Sequence, residues 1–259
     1  MLYDTHVHSK MSADSDMEPR EAMNAAKARR LGVILTEHLD YECDSDLDFA
    51  VDLPRYLREY EPYKAEGLLT GLEIGLTDAS ASQNREAAAS PGVDYIIGSI
   101  HMVDGHDIYT TFFARKLPPD EIYRQYLQCA ARMAESCDFF DSLGHIDYPS
   151  RYSPFPEKEI PFSAYPKEYN QIFEALLSKG KVLELNTRRL ASASAQKNWL
   201  EVLRGYYERG GRYITIGSDA HEPGQVGRHF DAALRMARSA GLTPVYFQER
   251  RMHNIDASG

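Results

Sequence analysis

The chain is poor in cysteine and tryptophan, and it lacks long apolar runs and blocks of positive charge. Its three cysteines, Cys43, Cys129 and Cys137, are an odd number without CxxC spacing. That argues against a disulfide framework or a zinc ribbon and fits a reducing, cytoplasmic setting. No stretch approaches roughly 18 apolar residues, and MLYDTHVHSK lacks the charged and apolar regions of an export signal. No membrane partner is expected. Lys plus Arg number 29 against 39 Asp plus Glu, a formal charge of −10. Pairs such as Arg29-Arg30 and Arg188-Arg189 are too short for a nucleic-acid patch. Neither GxGxxG nor GxxxxGK[ST] occurs, so dinucleotide and P-loop sites have no support.

What the chain does have is a ladder. Seven short apolar runs end in a metal-binding or polar side chain: LYDTHVH, GVILTEH, LLTGLEIG, YIIGSIH, FFDSLGHID, KVLELNT and YITIGSDAH. His6, His8, His38, His101, His145 and His221 fall at those ends; Glu73 and Asp219 hold matching places, and Asp14 follows the first. Helix-like segments separate the runs, which implies parallel strands joined by right-handed crossovers. Ligands at most strand ends favour a closed α/β barrel of seven strands, because an open sheet gathers residues only at its switch point. The length suits one domain spanning residues 1–259. Locally, Gly32 is placed to stop the helix that opens at Pro19, Pro62 to interrupt the next, and the tail from Glu249 is expected to fray.

His6 and His8 share one face of a strand, so two imidazoles can meet one ion. Asp219 and His221 repeat that spacing, although SDAH also reads as a helix N-cap. Singly, His38, Glu73, His101 and His145 read equally as packed core residues. Jointly they do not. Buried unpaired imidazoles and carboxylates cost several kcal/mol each, so nine of them clustered call for metal. Nine ligands exceed what one ion with an open position needs and suit two or three divalent ions of zinc, manganese or iron. The three carboxylates offset half the charge of three such ions, which leaves a positive pocket suited to a phosphate monoester.

The order DTHVH, SADS, TEH, GLEIG, GSIH, GHID and GSDAH resembles the polymerase-and-histidinol-phosphatase (PHP) family over nearly the whole chain. GSIHMVDG and ELNTRR add likeness to its stand-alone histidinol-phosphatase branch. The resemblance implies a distorted (β/α)7 TIM-like barrel and a trinuclear centre. His6, His8, Glu73 and Asp219 would hold one ion, Glu73 with His101 and His145 a second, and Asp14, His38 and His221 a third. Asp14 stands where many relatives have histidine, an oxygen ligand that would favour manganese or iron there. The implied reaction is hydrolysis of L-histidinol phosphate to L-histidinol and phosphate by a metal-bridging hydroxide, with Glu73, His101 and Asp219 at its centre.

By the same resemblance Arg151 and Arg188 clamp phosphate, with Arg189 an alternative to Arg188. His106 in VDGHD could touch substrate or donate a proton. The run Asp40, Glu42, Asp44, Asp46 and Asp48 reads as a solvated face, or as a recognition site for the substrate's amine. A PHP phosphoesterase of other specificity (phosphotyrosine, a nucleotide phosphate or another small ester) is the first rival. A nuclease is disfavoured by the net charge, and an amidohydrolase by Asp14, His38 and the Asp219-His221 pair. A non-catalytic metal-binding protein is the plainest alternative. A homo-oligomer stays open.

Overall fold

The computed structural model describes residues 1–43 and 47–255. The first half runs β1 (Tyr3–Val7), α1 (Pro19–Ala28), β2 (Gly32–Leu39), α2 (Leu53–Lys64), β3 (Leu69–Gly75), α3 (Ala81–Ala88) and β4 (Tyr95–Ser99). A small hairpin follows, β5 (Met102–Val103) and β6 (His106–Asp107). Then come α4 (Pro119–Ser136), β7 (Ser142–Leu143), α5 (Pro149–Tyr152), α6 (Pro166–Ser178) and β8 (Val182–Asn186). The chain finishes with α7 (Ala193–Glu208), β9 (Tyr213–Gly217), α8 (Phe230–Ser239), β10 (Thr243–Gln248) and β11 (Arg251–Asn254).

The strands lie in the order β1-β2-β3-β4-β7-β8-β9, all parallel. β9 then returns to β1. Val7 bridges Ala220, the Asp219 N–H donates to the His6 carbonyl, and the His8 N–H donates to that of Ala220. The seven strands therefore close into the expected barrel, with helices on the connections. Asp4 fastens the seam from inside. Its carboxylate accepts from Ser218 N (2.8 Å), Ser218 Oγ (2.5 Å) and Gly227 N (2.7 Å). Burial pushes the Asp4 carboxyl up to about 6 even though those donors pull it down.

Three local expectations need correction. α1 ends at Ala28, and Arg30 takes the left-handed turn at φ 58°. Gly32 instead opens β2, where the Tyr3 ring leaves no room for a Cβ. Pro62 does not break α2, which continues through it to Lys64. Among the described residues the tail does not fray at Glu249: β11 pairs antiparallel with β10 as far as Asn254, and residues 256–259 lie outside the described residues. Arg250 secures the hairpin turn through the Asp141 carboxylate (Nε–Oδ2 2.6 Å) and the Ala88 and Phe139 carbonyls. Val245 and Phe247 of β10 pack with Ile34, Leu69, Tyr95, Ile97 and Val182, near the N-terminal ends of the barrel strands. That apolar seal leaves the opposite, C-terminal end free for polar chemistry.

Candidate metal centre

The nine residues meet at the C-terminal ends of the strands. His6 and His38 lie within β1 and β2, and Glu73 is the register partner of His38 on β3. His8, His101, His145, Asp219 and His221 follow the ends of β1, β4, β7 and β9, and Asp14 sits in the loop after β1. Glu73 is the hub. Its Oε2 lies 3.2 Å from His6 Nε2, 3.3 Å from His8 Nε2 and 3.1 Å from His38 Nδ1. Its Oε1 lies 2.6 Å from His145 Nε2 and 3.3 Å from His101 Nε2. Asp219 Oδ1 is 3.6 Å from His8 Nε2 and 3.9 Å from His6 Nε2. Asp14 Oδ2 meets His221 Nε2 at 2.9 Å and His38 Nε2 at 3.5 Å. Among the described residues, four overlapping groups could hold an ion: His6-His8-Glu73, Glu73-His101-His145, His6-His145-Asp219 and His8-His38-His221.

The hydrogen bonds behind these rings test whether metal fits. His6 Nδ1 faces Glu184 Oε1 at 2.7 Å, and His101 Nδ1 faces Asp40 Oδ1 at 2.9 Å. His221 Nδ1 faces the Asp219 carbonyl at 3.2 Å. His8 Nδ1 faces Ser12 Oγ at 3.2 Å, whose own proton goes to Glu37 Oε2 at 2.6 Å. All four Nδ1 atoms thus face acceptors and carry an N–H, so in the neutral ring each Nε2 presents a lone pair. Yet His6 Nε2 and His8 Nε2 stand only 3.1 Å apart, both against Glu73 Oε2. Lone pairs facing one another and a carboxylate repel unless a cation lies among them.

A proton fills that role only in part, at one of the two rings. Burial opposes a charge on His6, but Glu184, Glu73 and Asp219 raise it well above its ordinary value. Burial and then the like charges of His38 and His221 hold His8 well below. One ring of the pair is driven to bind a proton and the other to refuse it. Burial would raise Glu73 and Asp219, yet His6, His101 and His38 hold the first carboxyl well below its usual range, and Arg151, His6 and Arg188 the second. The donor set is imidazole and carboxylate, suited to zinc, manganese or iron.

Asp219 also anchors the arginines. It adopts a left-handed φ of 54°, and Arg228 holds the Ser218 and Asp219 carbonyls. Arg151 Nη2 reaches Asp219 Oδ2 at 2.6 Å, with its guanidinium over the Tyr148 ring. Arg188 Nη1 reaches Oδ1 at 3.3 Å and is 38% exposed. Arg189 points elsewhere, to Asp147 at 3.1 Å and to Glu159 through both terminal nitrogens. A cleft of about 630 Å³ is lined by Arg151, Arg188, Tyr152 and Glu157, and also by the paired Arg189 and Glu159. His106 sits half-buried on β6, paired with Val103, and its side chain makes no hydrogen bond, ion pair or ring contact among the described residues.

The reading of the acidic run is divided. The Asp40 side chain is 8% exposed and set against His101, not solvated; Gly75 makes room for it, since a Cβ there would strike Asp40 Oδ1. Glu42 and Asp48 are exposed, and Asp44 and Asp46 lie outside the described residues. Of three carboxylates behind the rings, Glu37 and Glu184 escaped the sequence reading, and Asp40 was read only as part of the acidic run. KVLELNT, read as the rung without a ligand, delivers Glu184 to His6. The usable signal was a glutamate alternating with leucines in a run buried throughout.

The PHP domain family matches residues 4–188. The probable histidinol-phosphatase of Clostridium acetobutylicum is 35% identical over 252 residues, 97% of this chain and 99% of that one. The histidinol-phosphatase of Lactococcus lactis subsp. lactis is 33% identical over 226 residues, 84% of this chain and 83% of that one. A crystal structure of histidinol phosphate phosphatase from Lactococcus lactis, complexed with zinc, L-histidinol and phosphate, superposes with a TM-score of 0.89 at 29% identity. That match covers 98% of this chain and 99% of the other.

Proposed function

The chain belongs to the PHP domain family, and from that membership we infer that it is a metal-dependent phosphomonoesterase acting on L-histidinol phosphate. The observation that carries this reading is the Glu73 hub, with the Nε2 atoms of His6, His8, His101 and His145 turned toward one carboxylate. The relatives support the substrate, since they are histidinol-phosphatases and one is complexed with L-histidinol and phosphate. We read residues 1–259 as one catalytic domain.

His6, His8, Glu73 and Asp219 would hold one divalent ion; Glu73, His101 and His145 a second; Asp14, His38 and His221 a third. Such ions supply a nucleophile at neutral pH and stabilise charge on a transferring phosphoryl group. Arg188 offers the exposed fork for phosphate, and Arg151 the buried one. Glu37, Asp40 and Glu184 double the negative charge counted from the sequence. Three divalent ions would then be nearly neutralised, and the attraction for a phosphate dianion falls to the arginines. His106 is left as a candidate contact to the leaving group, on its position after His101.

The test is phosphate release from a panel of L-histidinol phosphate, phosphotyrosine and nucleotide phosphates, with strand cleavage of single-stranded DNA followed separately, for protein reconstituted in zinc, manganese or iron. The reading predicts the highest kcat/KM for L-histidinol phosphate. A higher value for another ester would assign the chain to a different specificity on this scaffold.

A further inference from the structure

Glu184 is fully buried and joins, from behind the rings, two candidate ligands that Glu73 joins from the front. Its Oε1 accepts from His6 Nδ1 at 2.7 Å. Its Oε2 accepts from the backbone N–H of His145 at 2.8 Å and from Asn186 Nδ2 at 3.2 Å. His6 and His145 belong to different proposed ion sites, on strands far apart in sequence. The packing admits no slack. A Cβ at Gly217 would strike both the His6 Cβ and Glu184 Oε1, so glycine there lets β9 pass close behind the pair.

We propose that Glu184 is a positioning residue that couples two ion sites, holding His6 in its Nδ1–H form and fixing the backbone that presents His145. This rests on the metal-dependent reading above. Three donors converge on one carboxylate, and only a group with two acceptor oxygens satisfies them. Glutamine has nearly the same shape but one acceptor oxygen. Whichever way its amide turns, an NH₂ faces either the His6 N–H or the His145 N–H. His6 then reverses its tautomer, which removes the Nε2 lone pair, or His145 shifts. Asp40 meets His101 Nδ1 at 2.9 Å and His38 Nδ1 only at 3.5 Å, and Glu37 reaches His8 only through Ser12; neither accepts from the backbone of a candidate ligand as Glu184 does from His145.

The experiment is zinc titration against a competing chelator for wild type, Glu184→Gln, His6→Ala, His145→Ala and His221→Ala. Glu184→Gln is expected to lose about 10- to 100-fold in zinc affinity. The loss should fall on the binding steps that His6→Ala and His145→Ala remove and spare the step that His221→Ala removes. Affinity within twofold of wild type at every step overturns the proposal, as does an equal loss at all steps. Absence of zinc binding by wild type would instead sink the metal-dependent reading, and this proposal with it. Should Glu184→Gln fail to fold, long-range ¹H–¹⁵N spectra of zinc-loaded wild type decide. The proposal requires His6 to be protonated at Nδ1, and protonation at Nε2 contradicts it.

Discussion

Replacing Arg188 by alanine should damage catalysis while leaving the fold almost untouched. Arg188 lies 3.3 Å from Asp219 and is 38% exposed, so its ion pair contributes about 0–1 kcal/mol to stability. A charge-assisted hydrogen bond to a phosphate oxygen is worth about 1.5–3 kcal/mol. At about 1.4 kcal/mol per decade this corresponds to a fall in kcat/KM of roughly 10- to 150-fold. The neighbouring arginine is the control. Arg189 is 15% exposed and satisfies the buried Asp147 as well as Glu159. Arg189→Ala leaves Asp147 unpaired, at a stability cost of about 3–5 kcal/mol, and should change kcat/KM far less. Steady-state kinetics on L-histidinol phosphate and urea unfolding of both variants provide the assay. Arg188→Ala with kcat/KM within twofold of wild type, beside a large kinetic loss in a stable Arg189→Ala, would refute the assignment.

Further perturbations probe other parts of the account. Gly75→Ala should push the Asp40 carboxylate off His101 and lower activity by about 10- to 100-fold, as loss of a ligand's supporting group does; the pH-independent plateau of kcat measures it. Arg250→Ala strands the buried Asp141 carboxylate at the far end of the barrel and should destabilise by about 3–5 kcal/mol, with kcat unchanged in the folded fraction. Burial pushes the Cys129 thiol up to about 11. A raised thiol pKa keeps the protonated form through neutrality, and the thiolate gains population only as pH nears that value. Iodoacetamide at pH 8 should therefore label Cys129 in urea but not in the native protein, as read by mass spectrometry.

The sequence announced the barrel and gathered its nine candidate ligands because both depend on local order. A parallel barrel brings every strand's C-terminal end to one face, so ligands placed there can be read as a ladder without knowing any contact. The supporting carboxylates do not follow that rule. Glu184 lies inside its strand, 178 positions from His6. Asp40 is followed by a run of acids, which disguised a buried partner of His101 as part of a solvated loop. Arg188 and Arg189 are adjacent, and only the fold turns one to Asp219 and the other to Asp147 and Glu159. The hairpin that seals the barrel's other end is held by Arg250 and Asp141, 109 residues apart, a pairing no local pattern reveals.

The most direct measurement is the number of ions per chain after zinc reconstitution and desalting, by inductively coupled plasma mass spectrometry, for wild type and His101→Ala. The account predicts two to three zinc ions in wild type and a loss of one in His101→Ala, accompanied by a drop in turnover of at least ~100-fold. Fewer than one ion per wild-type chain, or full turnover in His101→Ala, would contradict the metal centre on which the rest depends.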